Sequence, residues 1–318
     1  MITVQAPDGV GEVRRGDDLA DLLLAALTGG DLADGDVVCV TSKVVSKAEG
    51  RVLAGDRAGA ILRETRRVVA RRGPLTIVVN RLGLTMAAAG VDASNVTQGH
   101  VVLLPDDPDA SARALRERIA ARAGVNVGVL VTDTAGRTWR EGQTDLAVGA
   151  AGVRVLDDHA GRSDGYGNEL EVTAPAVADE LAGAAELAAG KLGRRPFTVI
   201  RGRGDLVLRP GDHGPGAVAL LRPDGADLFG LGAREAVLAA LGARDDDRTA
   251  FGTPVEADEL VAILTTLTGA EVHRRDGEIR LAPADARVRW AAEVAAYAHG
   301  WEALTADQPG VRLRPVSP

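Results

Sequence analysis

Asp36-Val37-Val38-Cys39-Val40-Thr41, followed at once by Ser42-Lys43-Val44-Val45-Ser46-Lys47-Ala48-Glu49-Gly50-Arg51, is the stretch on which the fold turns. A short unbroken apolar run reads as a buried strand, and here it gives way without a linker to hydroxyls and lysines. Toward the N-terminus, Asp17 predicts the N-cap of a helix that runs through Leu27 and closes at Gly29-Gly30. In the other direction, Arg57–Arg72 has helical spacing, with Ile61, Leu62, Val68 and Val69 on its apolar side and arginines opposite. Leu75–Asn80 and Val101–Leu104 read as strands. Asp107-Pro108 then supplies the cap and first position of a helix that continues over Asp109–Ala123. Val125–Thr132 is a strand running into Asp133, Ala176–Ala189 an Ala-rich helix closed by Gly190, and Phe197–Arg201 a further strand. Short apolar runs alternating with longer amphipathic ones predict an α/β or α+β architecture.

The character changes after Gly232. Arg234–Leu241, Glu256–Thr268 and Arg287–His299 read as helices, separated by polar turns such as Asp245–Arg248. This predicts a catalytic region over residues 1–232 and a small, mainly helical extension over 233–318, whose bland reading is a structural cap or dimer-stabilising module.

The 318 residues suffice for two domains, or for one domain with an extension. Aromatic residues are only 3%, so the core must be built from Ala, Val and Leu. The net charge is −8, and Arg14-Arg15, Arg66-Arg67, Arg71-Arg72 and Arg194-Arg195 are scattered pairs rather than a basic face. That argues against general nucleic-acid binding. A single nucleotide stays open, because backbone amides and bound metal neutralise phosphate without a basic surface. Cys39 is the single cysteine, which leaves no disulfide and no Cys-based zinc site; inside its apolar run it reads as a small buried hydrophobe. The N-terminal MITVQAPDGVGEVRRGDD lacks a basic start followed by an apolar segment, and no apolar run reaches the roughly 18 residues of a membrane span. A cytoplasmic protein is the expectation.

Familiar motifs do not occur: no G-x-x-x-x-G-K-[ST] loop, no G-x-G-x-x-G after a strand, no H-E-x-x-H and no G-x-S-x-G. With five scattered histidines, any enzyme here must work with oxygen ligands and backbone. Four segments place small and polar residues just past apolar runs. In Thr41–Arg51, lysines supply charge and serines supply donors for phosphate, although a cap with solvated lysines explains them as well. In Ala87–Val96, Asp92 and Asn95 suit a hard cation or a nucleotide, and an Asx turn suits them equally. In Val131–Asp145, Asp133 beside the Thr134 hydroxyl is a natural Mg²⁺ or Mn²⁺ site, and Arg137 and Arg140 add forks for phosphate or carboxylate. Trp139 in that stretch reads as packing rather than as a stacking platform. Asp164–Thr173 carries carboxylates and Tyr166; Asp179 and Glu180 after it read as exposed first-turn acids of a helix.

Taken together and in this order, the four segments resemble the coenzyme F-420-0:γ-glutamyl ligase family, over about Ile2 to Phe229. Each block alone is weak, and four in register are specific. The resemblance is strongest to the ligase half of the actinobacterial two-domain enzymes, without their nitroreductase-like domain. It implies an α+β, two-domain ligase-like fold with mixed sheets that forms a homodimer. It implies ligation of L-glutamate to F-420-0, once or several times, with GTP and divalent metal, through an acyl phosphate. Carried over residue by residue, it places the nucleotide on Val10, Gly11, Glu12 and Val13, on Ser42, Lys47 and Asn95, and on a stretch over Ala189–Pro196 that includes Gly190 and Lys191. One cation falls to Asp92 and Asp133 and a second to Thr134, as Mg²⁺ or Mn²⁺, with K⁺ a further candidate. Two departures stand out: Val10-Gly11 replaces the family's Leu-Pro, and Lys191 stands where archaeal members carry an acid of the second metal site. Arg137 and Arg140 are our own candidates for holding the carboxylates of glutamate. FMN is not expected, since the residues after Gly232 are too few for the flavin domain of the longer relatives. The rival readings are a metal-dependent nucleotide phosphohydrolase using Asp92 and Asp133, and a non-catalytic GTP- or deazaflavin-binding relative.

Overall fold

The computed structural model describes residues 1–27, 32–282, 285–304 and 310–316, and it places Val37–Thr41 at the centre of a five-stranded sheet. The order is Thr3–Gln5, Phe197–Arg201, Val37–Thr41, Gly128–Gly136, Gln143–Ala151. Val37–Thr41 pairs parallel with Gly128–Gly136, and the other pairings of this sheet are antiparallel. Its side chains alternate between two cores. Val38 and Val40 join Leu19, Leu23, Leu115 and Ile119 on one face; Val37 and Cys39 join Val177, Leu181 and Ala185 on the other. A strand covered on both faces has no polar alternation to show, which is why it reads as an unbroken apolar run.

The covering helices follow local rules. Asp107 accepts from the Ala110 amide, Pro108 opens the helix Pro108–Ala123, and Gly124 closes it in the left-handed region at φ 71°. Gly149 is required where this helix begins: a Cβ there would lie 2.3 Å from the Pro108 carbonyl oxygen. The helix Leu19–Ala26 is capped by Asp18, whose carboxylate accepts from Ala20 and Asp21, and not by Asp17, which accepts from the Arg14 amide. Gly29 and Gly30, expected to close it, lie outside the described residues. The helix Val177–Ala189 covers the opposite face, with Gly190 at its end.

One expected helix is half a helix. Arg57–Glu64 is helical, but Thr65–Arg72 is a strand that pairs antiparallel with Leu75–Asn80 across Gly73-Pro74. Val68 and Val69 fit either period, and β-branched residues opposite an apolar strand settle on the ladder. Thr85–Ala87 completes this three-stranded sheet, while Val52–Ala54 pairs with His100–Val102. A second difference is the hairpin: the strand read as ending at Thr132 continues to Gly136 and returns as Gln143–Ala151. Val131 pairs with Gly149 and Thr132 with Ala147, so Val148 is an extra residue and the hairpin carries a bulge just before Asp133.

Met1–Leu221 forms one compact unit and Arg222–Pro318 another, so the boundary expected after residue 232 lies inside the second. Among its described residues helix outweighs strand, but the second unit also holds a sheet that the helical reading did not include. Ala233–Gly242, Ala257–Thr268 and Ala286–Ala298 accompany a four-stranded antiparallel sheet in the order Val272–Arg275, Glu278–Leu281, Val311–Pro315, Trp301–Leu304. The strands are short and alternate: Ile279, Leu281, Val311, Leu313 and Trp301 pack against Leu260, Leu264, Ala292 and Ala296, while arginines and glutamates face away. The charged half of that alternation masks the strands in a sequence scan. The fold as a whole is α+β with mixed sheets.

Candidate active site

The parallel pair ends where the chemistry begins. Thr41 pairs with Thr132, so the next residues, Ser42 and Asp133, emerge side by side from neighbouring strands. Ser42 starts the helix Ser42–Glu49, and its buried hydroxyl donates to Asp133 Oδ1 at 2.9 Å. Thr41 makes no side-chain cap, so the first turn of this helix presents its amides without a capping hydroxyl. Lys43, one residue on, reaches the other wall: its Nζ donates to Asp92 Oδ2 at 2.5 Å and to Ser94 Oγ at 2.7 Å.

Asp92 is held by strained backbone. Ala88 and Ala89 adopt φ of 51° and 56°, a region alanine rarely enters, and Gly90 follows at 77°. Asp92 then pairs with Val102 through two backbone hydrogen bonds, and its Oδ1 accepts from the Ser94 amide in an Asx turn. The Asx reading of this segment is met by this geometry. Asn95, next to Ser94, is exposed and also left-handed at φ 55°.

The carboxylates differ sharply. Burial disfavours the charged form of Asp92, but donors from Lys43 and from the Ser94 amide and hydroxyl outweigh it and hold the carboxyl down at about 2. Asp133 sits in a recess that keeps some accessible surface yet is closely walled. Burial, opposed by the Ser42 hydroxyl and Lys43 and reinforced by the charges of Asp145 and Asp92, pushes it up to about 6.

Asp145, which closes the 131–145 segment and is not among the residues expected at the site, is tied into it. It is buried, it faces Thr134 across the hairpin, and it accepts from Thr134 Oγ1 at 2.7 Å and Thr132 Oγ1 at 3.2 Å. Lys191 Nζ donates to Thr134 Oγ1 at 2.9 Å. Burial and the charge of Asp145 raise the Glu186 carboxyl, with Lys191 opposing. The hydroxyl expected to hold a second cation is therefore engaged on both sides, by Asp145 and by an ammonium. Only recognising the hairpin would have pointed to Asp145, because its role follows from cross-strand pairing.

The other candidates fall into two groups. Lys47, buried at the end of its helix, is ion-paired to Glu12, which ties the 10–13 stretch to this helix; Val13 is in the core, Val10 packs against it, and Gly11 is exposed. Asp8 and Arg195 pair at 2.6 Å, linking the N-terminal stretch to the loop after Gly190. Arg195 lies within the expected nucleotide stretch Ala189–Pro196, whereas Asp8 is not among the expected residues. Arg137 and Arg140 lie instead in the exposed 137–142 turn, where Arg137 donates to the Glu141 carbonyl. Trp139, expected to pack, stands 83% exposed at the hairpin tip, with φ 65°. Tyr166 is exposed on the small Arg162–Ser163/Glu169–Leu170 hairpin. Asp179 is not a free first-turn acid; it is half-buried and accepts from the Ala147 amide at 2.9 Å, whereas Glu180 is exposed as expected. Cys39 is buried, and burial pushes its thiol up to about 12.

Carboxylate and hydroxyl oxygens at Asp92, Asp133, Ser42 and Asp145 are a donor set for a hard divalent cation. Among the described residues no group of three or more His, Cys, Asp or Glu side chains is placed to hold a metal ion. Oxygen donors fewer than a full set suit a hard cation that takes its remaining ligands from phosphate and water.

Comparison with known proteins agrees in extent with this geometry. The sequence profile of the family described as F420-0:Gamma-glutamyl ligase matches residues 9–202. A Methanopyrus kandleri protein, named coenzyme F420:L-glutamate ligase, is 42% identical over 241 residues, covering 69% of this chain and 93% of the relative. Proteins of the same name from Archaeoglobus fulgidus and Haloarcula marismortui are each 40% identical, covering 61% and 73% of this chain and 85% and 97% of their own. No helix among the described residues is long and apolar enough to cross a membrane.

Proposed function

This chain belongs to the F420-0:gamma-glutamyl ligase family, and on that premise we propose that it joins L-glutamate to coenzyme F-420-0 in coenzyme F-420 biosynthesis, with GTP as phosphoryl donor. The names of the relatives support the substrate. The observation that carries the reading is the strand-end pair Ser42–Asp133, set beside Asp92 and Asp145 at the uncapped start of a helix. Helix N-termini attract phosphate, and clustered carboxylates attract the cation that accompanies it.

A carboxylate is a poor acylating agent, so the precursor's carboxylate oxygen first takes the γ-phosphoryl group, the bond to the β-phosphate breaks, and GDP leaves. The amine of glutamate then attacks the acyl carbon, the C–O bond to phosphate breaks, and an amide and inorganic phosphate result. Little covalent work falls to the protein; positioning and charge neutralisation dominate. A divalent cation, Mg²⁺ or Mn²⁺, neutralises the charge on the transferring group when bound. Asp92 and Asp133 hold it, and Ser42 orients Asp133. Lys47, Glu12, Asn95 and the loop at Gly190-Lys191 bind the nucleotide, and Thr134 is positioned by Asp145 and Lys191. Arg137 and Arg140, on the exposed turn, receive the carboxylates of glutamate. A cytoplasmic homodimer, K⁺ as a further ion and the absence of FMN complete the reading.

The test is incubation of the purified chain with GTP, Mn²⁺, L-glutamate and F-420-0, followed by mass spectrometry. Products heavier by one or more glutamyl units, absent with Asp133→Ala, support the ligase. GTP loss without glutamylation would instead identify a nucleotide phosphohydrolase, and binding of GTP with neither reaction a non-catalytic relative.

A further inference from the structure

Lys43 lies on the site but has no place in the scheme above. We infer that Lys43 is a resident counter-ion for the cation site: its ammonium occupies Asp92 until a divalent cation and nucleotide arrive together, then moves to the phosphates. The inference rests on the proposed cation site at Asp92 and Asp133.

Three features of the molecule support it. Both oxygens of the Asp92 carboxylate are engaged by the protein itself. Oδ2 accepts from Lys43 Nζ at 2.5 Å and from the Ser94 hydroxyl at 2.8 Å, while Oδ1 accepts from the Ser94 amide at 2.8 Å. Asp133, by contrast, receives the Ser42 hydroxyl, and the charges of Asp145 and Asp92 act on it. The ammonium therefore stands at one of the two carboxylates that a shared cation must use, within electrostatic reach of the other. Two positive charges on one carboxylate repel strongly in a half-buried setting, so the ammonium must leave Asp92 as the cation enters. Its four-carbon stem lets the charge move while the helix stays in place. The anion that arrives with the cation is the phosphate chain, which an ammonium binds readily. No bond is made or broken and the proton stays on Nζ; one counter-ion replaces another.

Such an exchange makes cation binding and nucleotide binding depend on each other, and the dependence is reciprocal. It also keeps Asp92 charged and compensated in the resting site.

The experiment is Mn²⁺ binding to the full chain, followed by the electron-spin-resonance signal of free Mn²⁺, with and without GDP. Lys43→Met should bind Mn²⁺ about tenfold more tightly than the parent chain without nucleotide, and should lose a similar factor of nucleotide coupling. Lys43→Arg, which keeps the charge, should remain weak. In turnover, Lys43→Met should raise KM for GTP more than it lowers kcat. Ser94→Ala, which removes the hydroxyl shared by Lys43 and Asp92, should tighten Mn²⁺ in the same direction by a smaller factor, and serves if the methionine variant does not fold. Equal or weaker Mn²⁺ binding by folded Lys43→Met overturns the inference, provided the parent binds Mn²⁺ and Asp133→Asn abolishes that binding. If the parent chain binds no Mn²⁺ even with GDP, the cation site itself is wrong and the inference falls with it.

Discussion

The strand ends of the first unit and the open face of the second unit's sheet are both built from charged side chains, and they use them in opposite ways. On the sheet of the second unit the charges answer one another. Glu278 accepts from Arg312 at 2.7 Å and from Arg280 at 3.3 Å, and Glu302 accepts from Arg314 at 2.6 Å. These arginines, Arg312 first, hold the Glu278 carboxyl below its ordinary value. At the strand ends of the first unit the carboxylates outnumber their partners. Asp133 is driven up to about 6 by burial and by two neighbouring acids, with one hydroxyl and one lysine in opposition. A mutually satisfied set of charges is a solvated surface, worth little to stability. An unsatisfied, walled set is held at a cost that the fold must carry, and such sites are where function concentrates.

The comparison can be broken at several points. The largest expected effect is at Asp133: replacing it with Ala should lower kcat/KM for ligation by about a thousandfold or more, the scale of losing a charge-stabilising group, with the melting temperature of the metal-free chain maintained. A fall in melting with activity retained would make Asp133 structural. Next comes Asp145→Asn, which removes the charge behind Thr132 and Thr134 and should cost about 10- to 100-fold, the range for groups that orient ligands. Steady-state kinetics at saturating Mn²⁺ would check this, and an unchanged rate would confine the site to Ser42, Asp92 and Asp133. Glu278→Gln should leave ligation unchanged and lower the melting temperature only slightly.

The two regions also predict pH dependences of opposite sign. Asp133 is raised in the fold, so in the metal-free chain its penalty is full above about pH 6 and is relieved as pH falls from 6 toward the ordinary 3.8. Glu278 is lowered, so its contribution is present above its ordinary 4.5 and is lost as pH falls through the folded value. Between pH 7 and 5 the parent chain should therefore gain stability relative to Asp133→Asn, while Glu278→Gln should track the parent. Parallel melting curves for all three would remove the distinction. The smallest effect expected is at Cys39, whose thiol is pushed up to about 12; iodoacetamide at pH 8 should leave it unmodified until the chain is unfolded.

Much of the site was legible because strand ends are local. Val37–Thr41 followed by Ser42 and Lys43, and Val131–Thr132 followed by Asp133, are patterns of consecutive residues that a scan can find. Asp145 escaped because its partner is Thr134 across a hairpin, and the bulge at Val148 changes which residues face each other. Trp139 was misplaced for a related reason: a hairpin tip is defined by the pairing behind it. The strand Thr65–Arg72 and the four strands of the second unit escaped because arginines on their open faces blur the period of two.

The sequence by itself determined the buried central strand, the helix capped by Asp107 and, from four segments in order, the family. The strand and the helix follow from residues adjacent in the chain or one helical turn apart, where propensity and capping act directly. Only the tertiary structure decided which acids are compensated. The pairing of Lys43 with Asp92, the isolation of Asp133 and the hold of Lys191 on Thr134 join residues 49 to 91 positions apart or cross a hairpin. Charge balance at a site depends on distance in space and on the water excluded, and neither quantity is written in local order along the chain.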